Sequence, residues 1–382
     1  MDLELSDEEA ELRDNVRGVL DGICPPSVVR AVYENKGEPA AVWAKMVELY
    51  WPAMGIAEDL GGLGMGFVQL AIVAEELGRA TVPSPFLATV TQFAPAIREL
   101  GNAEQHQRFL SKVAAGELTG TLAIAERGSW RLDAVAATAE KSGDAWTLTG
   151  TKQAVADGAA ADEVVVIARA ARSSGSEGLG AFIVPGSSLE ATPRTVMDPT
   201  VPMADVRLDG VTVSADRVLG EPGASGVALA LQRAIEEATV ALAISTAGVC
   251  RKIFDDTLEY AKQREQYDRL IGSFQAIKHR FADMYLSVER ASALCYFAAL
   301  TIAEEDSRRA EAAALAKAAA GECQRLLVRE GLQLHGGIGY TWEHDLHFLL
   351  KRAKTGDLMF GTAASHRARL SELLGLTGGQ AA

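Results

Sequence analysis

The chain changes its hydrophobic rhythm twice. Over residues 7–120 apolar positions recur at three- and four-residue spacing, as in AAVWAKMVELY and MGFVQLAIVAEELGRA, which predicts amphipathic helices. The stretch AEDLGGLGMG, with Gly61, Gly62, Gly64 and Gly66, breaks two of them, and Pro83 and Pro85 mark the next boundary. Between about 118 and 218 the helical period disappears. Short runs take its place: AVAATAE, AWTLTGT, EVVVIARA, LGAFIVP and MADVRLDGVTV, several of them alternating and most rich in Val or Thr. GDAW and LDGV read as hairpin or strand-connecting turns, so a β-sandwich or small barrel of roughly 100 residues is expected here. From about 226 helices return. Residues 226–265 contain no proline and would span on the order of 60 Å unbroken. Two more, over 274–303 and 308–335, follow with only EEDS between them, which predicts an antiparallel bundle. LTGGQAA at the C-terminus reads as a frayed tail.

The expected fold class is therefore α+β. An α-helical domain over 1–117 precedes a β domain over 118–222 and a four-helix-bundle domain over 223–382. A chain of 382 residues is too long for one compact core, which agrees with such a division. Architecture of this kind says nothing by itself about chemistry.

Charge narrows the partners. The formal net charge is −14, which disfavours nucleic acid and anionic membrane surfaces. Cys24, Cys250, Cys295 and Cys323 show no CxxC and no paired spacing, so reduced core thiols in a cytoplasm are expected rather than disulfides or zinc. The acidic N-terminus lacks the basic-then-apolar order of a signal peptide, and runs such as ATVALAISTAGVC are too short to span a bilayer. His344 and His347 flank Asp345 in HDLH, but no third ligand has characteristic spacing and no metal is expected.

Candidate ligand chemistry sits in three segments: GIAEDLGGLG with AEELGRATVPSP (55–64 and 74–85), REQYDRLIGSFQAIKHRFADM (264–284) and LQLHGGIGYTWEHDLHFLLKRAK (332–354). Arg264 offers a planar, permanently charged fork suited to a pyrophosphate, although a solvated or helix-capping charge is the alternative. Gly336 and Gly337 remove Cβ atoms where a backbone must approach a ligand, or else form only a helix cap and turn. Gln266, Gln275 and Gln333 carry amides able to bind a base edge or ribose.

In that order and at those separations the segments resemble the acyl-CoA dehydrogenase family across essentially the whole chain. The resemblance implies FAD as cofactor and places Arg264, Gln266, Tyr267, Ile271, Gln275, Gln333, Gly336 and Gly337 on its adenosine-diphosphate half, across a subunit interface. Thr362, in the FGT turn, is carried over as a further cofactor contact. Tyr267 stands where Phe is usual and Asp268 where Gly is usual, which puts that turn in question.

The family reaction removes a proton from the α-carbon of an acyl-CoA thioester and a hydride from its β-carbon, so it requires a carboxylate base. In many members that base is a Glu directly before Gly-Thr near the C-terminus; here the residue is Phe360, which cannot accept a proton. A second location used by some branches falls on Ala238, one residue from Glu237. Glu237 opens a stretch without charge to Cys250, so it is the candidate base, with a pKa raised by apolar surroundings; the alternative is that Glu236 and Glu237 face water. The ring side is thinned as well: Ala154 and Ala156 stand in for an aromatic wall and a hydroxyl, and Ala125 for a Thr, while Glu126, Gly128 and Ser129 remain.

The losses fall on the half that a subunit supplies to its own site, and the retained residues on the half given to a neighbour. The expected function is that of an FAD-dependent acyl-CoA dehydrogenase subunit in a heteromeric α2β2 enzyme, like some actinobacterial members. The expected partners are an acyl-CoA substrate, a second dehydrogenase subunit and an electron acceptor such as electron-transfer flavoprotein. The alternatives are a self-sufficient homotetramer using Glu237, and a catalytically silent CoA-ester-binding or scaffold protein on the same fold.

Overall fold

In a computed structural model the described residues are 5–37 and 39–376. Apart from Leu376, the tail LTGGQAA lies outside them. The first third is helical: α1 (Asp7–Ile23), α2 (Pro26–Tyr33), α3 (Ala40–Glu48), α4 (Phe67–Arg79), α5 (Phe86–Ala88), α6 (Ala94–Leu100), α7 (Ala103–Gln105) and α8 (Ser111–Ala114). Ser6 caps α1 in a reciprocal box with Glu9, and a π-helical stretch, Thr89–Phe93, joins α5 to α6.

Eight strands follow: β1 (Gly120–Ala123), β2 (Thr138–Ser142), β3 (Ala145–Ala156), β4 (Glu163–Ala170), β5 (Leu179–Pro185), β6 (Glu190–Pro193), β7 (Met203–Ser214) and β8 (Val218–Gly220). They form one mixed sheet in the order β6-β7-β3-β2-β4-β5-β8, with β1 also on β4. One edge of β4 is shared end to end, its first half pairing parallel with β1 and its last residues with β2. GDAW turns β2 into β3 as expected, with Gly143 at φ 62. LDGV does not turn. Thr149 pairs with Asp209 and Leu148 with Val211, so Gly210, at φ 68, is the extra residue of a bulge inside the single strand β7.

The C-terminal part holds α9 (Val227–Gln263), the hairpin β9–β10 (Glu265–Gln266 and Arg269–Leu270), α10 (Gln275–Ala303), α11 (Arg309–His335), α12 (Leu346–Leu358) and α13 (Ala363–Leu373). The three long helices start and stop within a few residues of the expected bounds. The only described helix with the length and apolar composition of a membrane span is α10, yet it packs in the bundle core through Phe281, Met284, Val288 and Ala291.

The chain divides into two compact units. A helical unit comprises Met1–Pro39, Phe67–Pro83 and Thr239–Ala382, and a sheet unit comprises Ala40–Gly66 and Ser84–Ala238. In the helical unit α11 packs on α10, α12 and α13 over a core that includes Ile253, Phe281, Met284, Cys323 and Leu327. Glycine lets α4 cross α9 at backbone contact. A Cβ on Gly78 would lie 1.9 Å from the Ser245 carbonyl oxygen, and one on Gly248 would lie 2.1 Å from that of Glu75. In the sheet unit Leu148, Val164, Val166, Phe182, Val206 and Leu208 form the core. All four cysteines are buried and free.

Candidate active site

Arg264 leaves α9 with its N–H donating to the Tyr260 carbonyl at 2.8 Å, and its own carbonyl accepts from Ile271 N at 2.8 Å. Between these bonds Glu265 pairs with Leu270 and Gln266 with Arg269. Tyr267 and Asp268 close the hairpin at φ 56 and φ 59, so the turn with two left-handed residues forms without the usual glycine. Aspartate tolerates that conformation better than most residues. Tyr267 is 89% exposed, its ring edge on Phe274 at 6.3 Å, while the Arg269 guanidinium covers Phe274 at 4.1 Å. Arg264, Gln266 and Gln275 are exposed and Ile271 is buried beneath them.

The second segment meets the first through Tyr260. Its ring stacks on His335 at 4.5 Å, and its hydroxyl donates to the His335 carbonyl at 3.4 Å. The His335 Nδ1 lies 2.8 Å from the Gly331 carbonyl, and burial pushes its pKa down. Gly336 then ends α11 at φ 64 and ψ −140, a conformation open essentially to glycine alone. Gly337 has no such need. Nothing lies within 4 Å of the place its Cβ would occupy, and it is exposed beside exposed Gln333, so the chain leaves open space there. Tyr260 was not singled out by sequence; its signal was its place one turn before Arg264.

The loop after Gly337 is anchored to α2 and α12. Arg30 donates to the carbonyls of Trp342 (2.9 Å) and Glu343 (3.0 Å) and binds Asp345. His347 stacks on Trp342 at 4.6 Å, with the Lys351 ammonium 3.1 Å from its Nδ1. The HDLH histidines are thus engaged in aromatic and hydrogen-bonded packing.

In the sheet unit the ring-side residues are small. Gln153 and Ala154 together oppose Asp205 in a bulge between Lys152 and Val155, which puts Ala154 at φ 49 with its N–H on Asp205 Oδ1 at 3.0 Å. Ala125 and Ala156 are buried methyls. Glu126 is held from three sides, by Lys152 Nζ at 2.5 Å, Ala136 N at 2.8 Å and Ala137 N at 3.0 Å. Arg127 and Gly128, at φ 49 and φ 75, make a tight turn closed by reciprocal bonds between Glu126 and Ser129.

Glu236 and Glu237 do not face water; both are buried. Glu237 is bound by Arg98, which also reaches Glu99 at 3.2 Å, and Arg233 reaches Glu99 at 2.9 Å. The expected apolar surroundings therefore contain a guanidinium, and the carboxylate is tied into a four-charge chain between α6 and α9. Phe360, in the helical unit, is buried at φ 53, and Thr362 caps α13 by accepting from Ser365 N at 3.3 Å.

The two units fit a dinucleotide flavin unequally. The helical unit has exposed donors at Arg264, Gln266, Gln275 and Gln333 and clear space at Gly337. The sheet unit presents no side-chain hydroxyl or aromatic ring at 125, 154 or 156.

The comparisons with known proteins cover both units. The model of the acyl-CoA dehydrogenase N-terminal domain matches residues 6–117 and that of the C-terminal domain residues 224–374. Acyl-CoA dehydrogenase IpdE2 of Mycobacterium tuberculosis is 31% identical over 349 residues, covering 91% of each chain. A glutaryl-coenzyme A dehydrogenase in complex with glutaryl-CoA superposes with a TM-score of 0.91 at 26% identity, over 98% of this chain and 97% of that one. The ChsE4-ChsE5 complex from Mycobacterium tuberculosis gives 0.88 at 26% identity, over 99% and 100%. Matching domain models at both ends, a relative above 30% identity and a shared fold over nearly every residue leave one assignment: this chain belongs to the acyl-CoA dehydrogenase family of FAD-dependent oxidoreductases.

Proposed function

We propose that this chain is one subunit of a heteromeric α2β2 acyl-CoA dehydrogenase and gives the adenosine half of an FAD site to its partner. The observation that carries the reading is its one-sidedness. The Arg264 hairpin and the open backbone at Gly337 stand ready for a pyrophosphate and adenosine, while Ala125, Ala154, Ala156 and Phe360 offer nothing for the reacting end. A solved relative, the ChsE4-ChsE5 complex from Mycobacterium tuberculosis, pairs two different chains.

The chemistry is α,β-desaturation of an acyl-CoA thioester. FAD, when bound, supplies the hydride acceptor. On this side Arg264 would neutralise the pyrophosphate, Gln266, Gln275 and Gln333 would bind the sugar and base, and Gly336-Gly337 would admit the backbone close to it. The α-proton leaves to a carboxylate of the partner chain, because Phe360 has no basic atom and Glu237 is occupied by Arg98. An acceptor such as electron-transfer flavoprotein would be the further partner.

The test is co-expression with a second acyl-CoA dehydrogenase gene from the same genome, followed by flavin content and acyl-CoA oxidation of the purified complex. Flavin and activity should appear with the partner and be absent from the chain alone. One FAD per subunit with turnover in the isolated chain would instead favour the homotetramer, and no flavin in either sample would favour a silent scaffold.

A further inference from the structure

The turn that carries Phe360 and Thr362 is gripped from behind by two bases, one buried and one half-buried. Lys317, wholly buried in the middle of α11, donates from Nζ to the carbonyls of Gly356 (2.9 Å), Asp357 (3.0 Å) and Gly361 (2.7 Å). His366, on α13, donates from Nε2 to the Phe360 carbonyl at 2.8 Å, and its Nδ1 is buried without a hydrogen-bond partner. Ser365 Oγ donates to the Thr362 carbonyl at 2.8 Å. Five carbonyls between 356 and 362 are therefore saturated by donors from behind the turn.

The approach that makes this possible is built into the sequence. Gly321 sits one helical turn after Lys317. A Cβ there would lie 2.5 Å from Asp357 Oδ1 and 2.8 Å from Ala363 Cβ, so only glycine lets α11 come this near. Asp357, itself buried, accepts from Ala363 N at 3.3 Å and from Lys354 Nζ at 2.8 Å.

At φ 53 Phe360 holds a left-handed backbone that strains a bulky residue. Such strain persists where the surroundings over-determine it, and here they do so around a side chain with no acid–base chemistry. What the clamp preserves is the backbone course into Thr362.

We propose that Lys317 and His366 are positioning residues for the Phe360–Thr362 turn, and that through this turn they set how tightly the assembled enzyme holds FAD. The inference rests on the proposed function and on Thr362 being a cofactor contact, as the family resemblance implies. Three carbonyl acceptors require three N–H donors, which only the ammonium form of Lys317 has. Burial pulls its pKa down to about 7, opposed by Asp357 and Cys295, while Lys354 adds to the lowering; His366 on α13 faces the same amine and is kept neutral by its own burial. Grip on the turn therefore weakens as pH rises through the titration of Lys317.

The test measures FAD release from the co-purified complex, by the fluorescence of freed flavin, at about pH 6 and about pH 8.5. Lys317→Met should release FAD about tenfold more readily at both values. The wild type should loosen toward the higher pH, while Lys317→Arg, which keeps its charge, should give a flat profile. Unchanged release from folded Lys317→Met overturns the proposal. Should that variant not fold, His366→Gln, whose amide still donates to the Phe360 carbonyl, is compared with His366→Leu, which cannot donate. Equal release from those two overturns it as well. A wild-type complex without FAD sinks the Thr362 reading and the proposal with it.

Discussion

Lys152 Nζ lies 2.5 Å from Glu126 Oε1, and both side chains are buried. The pair fixes the loop from Glu126 to Ala137 against β3 just before its bulge. Removing one partner leaves an uncompensated charge in the interior. Lys152→Met should cost about 3 kcal/mol or more, read as an earlier denaturation midpoint, and the double variant Lys152→Met with Glu126→Gln should recover part of that loss.

Arg264 is exposed and supports nothing in its own fold beyond two backbone bonds. Arg264→Met should therefore leave melting temperature and assembly unchanged while weakening FAD retention by about 10- to 100-fold. Retention at the wild-type level would place the pyrophosphate elsewhere.

Glu237→Gln distinguishes the two enzyme readings directly. With Arg98 holding the carboxylate, the substitution should lower stability yet leave turnover of the complex in place. Loss of turnover with the flavin spectrum intact would make Glu237 the base.

Phe360→Glu returns the residue type that the family reaction uses. The isolated chain should still fail to oxidise acyl-CoA, because Ala154 and Ala156 remain. Appearance of activity in that single variant would mean the ring side had needed only its base.

The pH dependence of stability has a definite sign. Burial lowers the pKa of His366 from 6.5 to about 4, so between those values the unfolded chain binds more protons than the folded one, and stability rises with pH. The penalty is complete below about pH 4 and absent above the unfolded value. Lys317 and Lys152, lowered to about 7 and about 8 by burial, act in the same direction up to their unfolded value of 10.5. The stability of His366→Leu relative to wild type, read from melting curves, should be independent of pH above 6.5 and shift in the variant's favour in acid.

Much of this was legible because it is local. The absence of proline from 226 to 265 dictated α9, and the Val-rich run EVVVIARA dictated β4. Gly210 was misread because a left-handed glycine closes a hairpin and makes a bulge equally well, and only the opposite strand decides which. The partners of the buried charges were out of reach. Arg98 meets Glu237 across 139 positions of sequence, and Lys317 reaches the Gly361 turn across 44. In sequence Lys317 was one polar residue in an alanine-rich helix, and His366 one of several late histidines. Depth in a core is a property of distant neighbours, and no spacing rule encodes it.

The chain order of the two units bears on how the protein is made. The sheet unit ends at Ala238, so a ribosome can deliver all of it before the helical unit has received α10 to α13. Residues 7–33 and 67–79 belong to the late-finishing unit yet are made early, and until α9 follows they have chiefly each other, α1 against α4, to pack on. The glycine contacts of α4 with α9 can form only once residues 245–248 have been made, well over a hundred positions after α4. The helical unit therefore completes its core only when its last helices have been made, so its two early segments depend on chain synthesised more than 150 residues later.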